Sequence, residues 1–205
     1  MKRTLNFLAV LIITCAGAIV AFAQESELAV LVGGLKTGDQ GLRSTSSVTA
    51  AFDGATGYEI NYAHRIANAE IASLHWELMI AGVPHTGVKS TNLILPRSYS
   101  SLFFAPGLKV KLFPRGVSPY VVAGLGLGRQ TASGTNLNGQ PNTGDKSSTT
   151  WIFNYGGGVD FPIFPHFALR GEVRDLIAGT PELNGQLFDK RQHNIFVAGG
   201  IVLRW

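Results

Sequence analysis

The chain has 205 residues with a formal net charge of +4; 25 residues are glycine and only 15% are charged. This length suffices for one domain with a sizeable core. The composition is too apolar for a disordered chain, and the charge is too small for a nucleic-acid-binding protein. We therefore expect a β protein that shows apolar surface to something other than water.

Residues 1–23 are typical of a signal peptide. Lys2 and Arg3 form a basic start, a mostly apolar run follows over residues 5–20, and Ala21-Phe22-Ala23 fits the A-x-A cleavage pattern. The apolar run is too short and too interrupted to be a good membrane-spanning helix. Cleavage would leave residues 24–205 as a single domain.

The one cysteine, Cys15, lies inside this first segment. A rival interpretation is a lipoprotein signal in which Cys15 is acylated. Thr14, however, is bulkier than the Gly, Ala or Ser that such a signal needs before its cysteine. We therefore expect ordinary cleavage and a mature chain that forms no disulfide.

From Gln24 onward the sequence contains eight strand-like segments in which apolar residues alternate with small or polar ones. Most have the roughly 9–11 residues that a tilted strand needs to cross a bilayer. The segments are 27–36, 57–65, 72–82, 99–113, 120–130, 150–161, 167–176 and 192–205.

The connections between these segments alternate in length. Short turns span residues 66–71, 114–119 and 162–166. Longer connections rich in Gly, Ser, Thr and Asn span residues 37–56, 83–98, 131–149 and 177–191. Short turns on one rim and long loops on the other are typical of a transmembrane barrel.

Within the segments, one face is essentially free of charge and the other carries nearly all of it. The acids of the charged face are Glu59, Glu77, Asp160 and Glu172, and the bases are Lys109, Lys111, Arg170, Arg174 and Arg204. Four acids against five bases nearly balance, as we expect of charges that pair in a confined space. The first segment is apolar on both faces and does not show which face is inward.

Two kinds of barrel have such faces. In a soluble, lipocalin-like barrel the charges face water; in a membrane barrel they face the lumen and the apolar set faces lipid. The scarcity of charge and the loop asymmetry favour the membrane barrel. The aromatic residues of the apolar face would then form interfacial girdles: Tyr58, Tyr62, Trp76, Trp151, Tyr155 and Trp205.

The last segment, 192–205, alternates throughout and closes on Trp205. With residues 111–128, 154–161 and 168–176, it makes the chain similar to the small eight-stranded bacterial outer-membrane barrels of the OmpA/OmpX type. The resemblance implies an all-β, eight-stranded antiparallel up-and-down transmembrane β-barrel in a Gram-negative outer membrane. It also implies contact with outer-membrane lipid and lipopolysaccharide, and delivery by the barrel assembly machinery, for which Trp205 would be a signal.

We find no motif for catalysis, a cofactor or a metal. The glycines at 124, 126 and 128 lack the spacing of a phosphate-binding loop; we interpret them as making room for Arg and Lys side chains. The five histidines lack ligand spacing, and we assign His75 to the lumen network beside Glu77. The lipid A deacylase barrels use a His-x-Ser arrangement, but neither His193-Asn194-Ile195 nor His166-Phe167-Ala168 contains that serine.

We therefore expect a structural or surface-interaction role through the extracellular loops, with no intrinsic catalysis. Apolar residues that we expect to be exposed in the loops, for binding an extracellular ligand, are Leu42, Val48, Phe52 and Leu137. A narrow small-solute pore is the first alternative, and a soluble periplasmic ligand-binding barrel is the second. The pore is disfavoured because side chains can fill the space that eight strands enclose.

Overall fold

The computed structural model describes residues 26–42, 45–113, 116–179, 182–183, 186–187 and 191–205. The signal peptide predicted over residues 1–23 lies outside this range. Twelve strands lie in the described residues. They are β1 (Ser26–Thr37), β2 (Gln40–Leu42), β3 (Thr45–Phe52), β4 (Ala55–Asn68), β5 (Ala72–Ser90), β6 (Ser98–Leu112), β7 (Ser118–Ala132), β8 (Ser147–Phe164), β9 (Phe167–Ala178), β10 (Glu182–Leu183), β11 (Gln186–Leu187) and β12 (Gln192–Arg204).

Eight of these strands close into a ring. Hydrogen-bonded neighbours run in the order β5, β4, β1, β12, β9, β8, β7 and β6, and β6 pairs back with β5. Every pairing in the ring is antiparallel, and the first and last strands meet along their whole length, from Glu27 opposite Arg204 to Thr37 opposite Asn194. The eight ring strands are the eight predicted segments, so the predicted eight-stranded antiparallel up-and-down barrel is confirmed.

The long connections are more ordered than we predicted. β5 continues through Ser90, well beyond the predicted end of its segment at residue 82, and β3 pairs with this extension while β2 pairs with β3. The pairing of β5 with β6 shifts register between Val83 and Thr86. Pro84 lies in this irregular stretch, where a residue without an N–H costs no ladder hydrogen bond. The sheet therefore rises above one side of the barrel.

The outward side chains of the ring form an apolar belt. Val121 and Leu125 are each 64% exposed, and Trp151 is 75% exposed. Near the rim with the short turns, the ring of Tyr62 contacts the rings of Trp76 and Trp205, with centroid separations of 5.2 and 6.4 Å. Aromatic side chains at the edge of an apolar belt are typical of a membrane–water interface. In the part of the chain that the structure describes, no helix has the length and hydropathy to cross a membrane.

The belt makes a direct prediction for Leu125, which lies midway along β7. An arginine there must enter the hydrocarbon, so Leu125→Arg is expected to lower the free energy of unfolding by about 2–4 kcal/mol in lipid vesicles. Denaturant titration of the refolded chain measures this difference. Thr143→Arg, at an exposed loop position, is the matched control and should change stability little. Equal stability of the two variants would contradict the outward assignment.

Candidate functional site

The lumen holds a network of ten ionisable side chains near the short-turn rim. Nine are buried, and Arg204 is partly exposed at the edge. The acids are Glu27, Glu59, Glu77, Asp160 and Glu172, and the bases are Lys109, Lys111, Arg170, Arg174 and Arg204. We call these ten residues the lumen network. All nine charged residues that the sequence placed on the inward face belong to it, and each takes part in an ion pair.

The rim half of the network is organised by Glu27 and Asp160. The Glu27 carboxylate accepts hydrogen bonds from Lys109, from Lys111 Nζ at 2.6 Å and from Arg170 Nη2 at 2.7 Å. Asp160 accepts from Lys111 Nζ at 2.7 Å, from Arg170 Nε at 2.7 Å and from Arg204 Nη2 at 2.9 Å. Two acids thus accept hydrogen bonds from four bases that come from three other strands.

The deeper half is organised by Arg174. Its guanidinium donates to Glu172 and, through Nη2 at 2.7 Å, to Glu77, while its Nε lies 3.2 Å from Glu59 Oε1. Lys109 joins the two halves by donating to Glu77 Oε2 at 2.7 Å. Each of these side chains is almost fully removed from solvent, so an unpaired charge here would cost several kcal/mol.

Tyr120 supports both halves. Its hydroxyl donates to Glu172, and its ring lies 4.8 Å from the Arg170 guanidinium and 5.3 Å from Lys109 Nζ. The ring therefore adds a cation–π contact to each of these two cations, in addition to their carboxylate partners.

Sequence reasoning missed Glu27. The first segment is apolar on both faces, so its single inward acid carried no pattern of its own. The sequence predicted five inward bases but only four inward acids. Because a buried set of charges should balance, this difference was the available sign that one acid was missing. With Glu27 included, the lumen network contains five acids and five bases.

The glycine interpretation needs a correction. A Cβ at Gly126 would lie 1.9 Å from the backbone oxygen of Phe104, so that glycine lets two strands approach and makes no room for Arg or Lys. The glycines that accommodate the network are on β8 instead. A Cβ at Gly156 would lie 2.9 Å from Arg174 Cγ, and one at Gly158 would lie 2.6 Å from the Tyr120 hydroxyl. Both Cβ positions also lie 2.3 Å from a backbone oxygen of β9, so these glycines let two strands approach as well as making room for network side chains.

Two further layers fill the lumen between the network and the long-loop rim. The first is apolar, and its largest members are Leu31, Met79, Phe103, Ile152, Leu176 and Phe196. The second is polar: Thr37 donates to Asn194 at 2.9 Å and Gln130 donates to Gln192 at 2.7 Å. We predicted an inward face of charges and small residues, so the apolar layer is a correction. It comes partly from β1, whose faces the sequence did not distinguish.

Three histidines contact a serine or an acid through their side chains, and none of these contacts belongs to a complete Ser–His–acid triad among the described residues. Ser73 contacts His75 at 2.9 Å inside the lumen, and Ser26 contacts His64 at 3.0 Å near the short-turn rim. His193 contacts Asp175 at 2.7 Å on the outward face. Asp175 also accepts from Tyr155 at 3.2 Å, and it is an exception to the charge-free outer face that we predicted.

The described residues contain no group of three His, Cys, Asp or Glu side chains placed to hold a metal ion.

The family model for the outer membrane protein beta-barrel domain matches residues 7–198. The chain belongs to the outer membrane protein β-barrel domain family. A search of curated proteins found no match.

Solved structures resemble this family member in fold. Neisserial surface protein A has 15% identity and a TM-score of 0.60, over 88% of this chain and 97% of that one. OprG from Pseudomonas aeruginosa has 12% identity and a TM-score of 0.57, over 89% and 96%. The N-terminal β-barrel domain of OprF, from the same organism, has 12% identity and a TM-score of 0.51, over 89% and 98%.

Family membership places this barrel in the Gram-negative outer membrane, in contact with lipid. The alternative of a soluble periplasmic ligand-binding barrel is therefore wrong. In such barrels the short turns are periplasmic and the long loops extracellular, which orients the lumen network toward the periplasm. At the periplasmic rim, Trp205 exchanges backbone hydrogen bonds of 3.0 and 3.1 Å with Ser26. Its role as an assembly signal stays a prediction.

The lumen network predicts that Glu27→Gln is strongly destabilising. The change leaves one surplus positive charge among Lys109, Lys111 and Arg170, and breaking a buried ion pair costs about 3–5 kcal/mol. Unfolding in lipid vesicles measures the loss. Glu70→Gln, at an exposed turn position, is the matched control.

A second substitution separates charge balance from packing. Lys111→Met in the Glu27→Gln background restores an equal number of buried acids and bases, so it is expected to recover part of the lost stability. If the double variant is less stable than Glu27→Gln alone, neutrality of the network is not what stabilises the lumen.

Proposed function

We propose that this protein is a closed outer-membrane barrel with a structural or surface-interaction role, carried out by its extracellular face without intrinsic catalysis. The filled lumen is the observation that carries this proposal. A charged layer, an apolar layer and a polar layer occupy it in succession along the described strands. If the lumen is closed to solutes, the surfaces available for interaction are the outer wall and the loops.

The extracellular loops form an ordered cap over the mouth. Its core contains Ala50, Val88, Leu95, Tyr99 and Ala132, with Phe52 and Leu137 packed against them. Backbone hydrogen bonds join neighbouring loops, from the Leu137 amide to Leu95 at 2.9 Å and from the Asn138 amide to Leu93 at 3.1 Å. A rigid scaffold of this kind can present a recognition surface without a large ordering cost.

The cap changes the expected contact residues. Phe52 and Leu137, which we predicted to be exposed, are partly buried in the cap, and the side chains of Leu42 and Val48 lie outside the described part of the chain. Among the residues whose exposure the structure describes, Leu93 and Ile94 are the large apolar side chains that the cap exposes, at 55% and 50%. Contiguous exposed apolar surface marks interaction sites in soluble parts of proteins, so we assign the contact to these two adjacent residues.

The arrangement also supports a protein without catalysis. The Ser73–His75 pair is buried below the apolar layer, away from any substrate. His193 and Asp175 face lipid but have no serine hydrogen-bonded to them among the described residues. A base without a nucleophile in reach does not make an acyl-transfer site.

We expect the refolded chain to produce no single-channel steps in planar bilayers, because the apolar layer excludes water between two polar layers. Phe103→Ser combined with Phe196→Ser would wet this layer and should raise the leak above that of the parent chain. Unheated gels check that the variant is folded. Stable, reproducible steps from the parent chain would instead favour the small-solute pore.

Surface interaction is tested with Leu93→Ser combined with Ile94→Ser. In cells from which the gene is deleted, this variant should reach the outer membrane at the level of the parent chain but fail to support the attachment to surfaces or to other cells that the parent chain supports. Thr143→Ser combined with Thr149→Ser, at an exposed loop position and an exposed position near the start of β8, is the control and should match the parent chain in both respects. Full attachment by the Leu93 and Ile94 variant would exclude this patch from the interaction.

A further inference from the structure

A groove crosses the outer wall of the barrel near the extracellular rim. It has a volume of about 280 Å³ and runs across β4, β5, β6 and β7. Its walls and floor are formed by Tyr58, Gly82, Pro84, Leu102 and Arg129, among others. The volume lies just below the roughly 300–1,000 Å³ of typical small-molecule pockets. The groove can therefore hold part of a larger ligand, such as one segment of a flexible chain.

The groove exists because β5 lacks bulk there. Gly82 faces outward, and a Cβ at this position would meet no atom within 4 Å. Directly beyond it, a register shift between Val83 and Thr86 interrupts the regular pairing of β5 with β6. Tyr58 and Leu102 stand on either side of Gly82 in the sheet, 57% and 54% exposed. The result is an apolar trough between two large side chains.

Arg129 lies at the level where the apolar belt ends. On β7 the outward residues Val121, Leu125 and Leu127 are apolar, and Arg129 is the next outward residue after Leu127. Leu127 pairs with the exposed Trp151 in the sheet, and an exposed tryptophan at the edge of the belt is typical of the membrane interface. Arg129 is therefore placed at the height of lipid headgroups.

The Arg129 guanidinium is available to an external anion. It is exposed, and the ion pairs found between described residues do not include it. A guanidinium binds phosphate through two parallel hydrogen bonds, and it does so most strongly where water is partly excluded.

We propose that this groove is a specific binding site for one lipid of the outer leaflet, the phosphorylated and multiply acylated lipid A of lipopolysaccharide. One acyl chain lies in the trough over Gly82, between Tyr58 and Leu102, and a lipid A phosphate binds Arg129. The chemistry at the two ends of the groove matches the two chemistries of this lipid. The proposal depends on the outer-membrane location and not on the loop interaction proposed above.

The test uses the refolded full chain in detergent, titrated with lipid A and observed by native mass spectrometry. Arg129→Gln removes the charge and Gly82→Leu fills the trough at a position with free space. Each should weaken lipid A binding about tenfold. Arg129→Gln removes one charge-assisted hydrogen bond, and Gly82→Leu occupies the space of the acyl chain. Arg97→Gln and Gly171→Leu, at exposed positions outside the groove, are the matched controls and should bind as the parent does.

Two further ligands identify the occupant. Lipid A from which the phosphates have been removed should bind the parent chain as weakly as lipid A binds Arg129→Gln. Phosphatidylglycerol should bind weakly and should not distinguish the parent from the variants.

Three results would overturn the proposal. They are unchanged lipid A binding by both groove variants, an equal loss in the control variants, and phosphatidylglycerol binding as tight as that of lipid A. A protein dimer that forms through this face and excludes lipid would overturn it as well.

Discussion

Neutrality of the lumen network is the constraint on which the rest of the barrel depends. Five acids and five bases share a space from which water is largely excluded, and Glu27 and Asp160 each accept hydrogen bonds from three bases. Removal of one partner leaves a charge that lipid and protein cannot solvate. The glycines of β8 leave the space that Tyr120 and Arg174 need in the network. The apolar belt faces lipid, so the charges are confined to the lumen.

The layers of the lumen close different parts of the barrel by different interactions. The network closes the periplasmic half by pairing, and the apolar layer around Phe103 and Phe196 closes the extracellular half by excluding water. The ordered cap then extends the rigid barrel outward. This arrangement is consistent with a protein that acts through its surfaces, toward the exterior by its cap and toward lipid by its outer wall.

Period-two alternation was enough to predict the eight ring strands and the direction of their side chains, because each strand separates lipid from a polar lumen. It failed for β1, where the inward Ala29 and Leu31 are as apolar as the outward Val30 and Val32. Glu27 and part of the apolar layer were missed for that reason. The groove could not be predicted either, because it depends on how Gly82 and the register shift beyond Val83 are juxtaposed with Leu102 on the next strand.

The pairing of Glu27 also bears on how the barrel forms. Its partners Lys109, Lys111 and Arg170 lie 82, 84 and 143 residues away along the chain. The first strand therefore reaches its compensating charges only through contacts of long sequence separation, and its pairing with β12 joins the two ends of the ring. Contacts of such sequence separation are slow to form. A sheet that has not closed carries uncompensated charge on its inner face, and transfer of such charge into lipid is costly, so we expect closure and charge compensation to occur together.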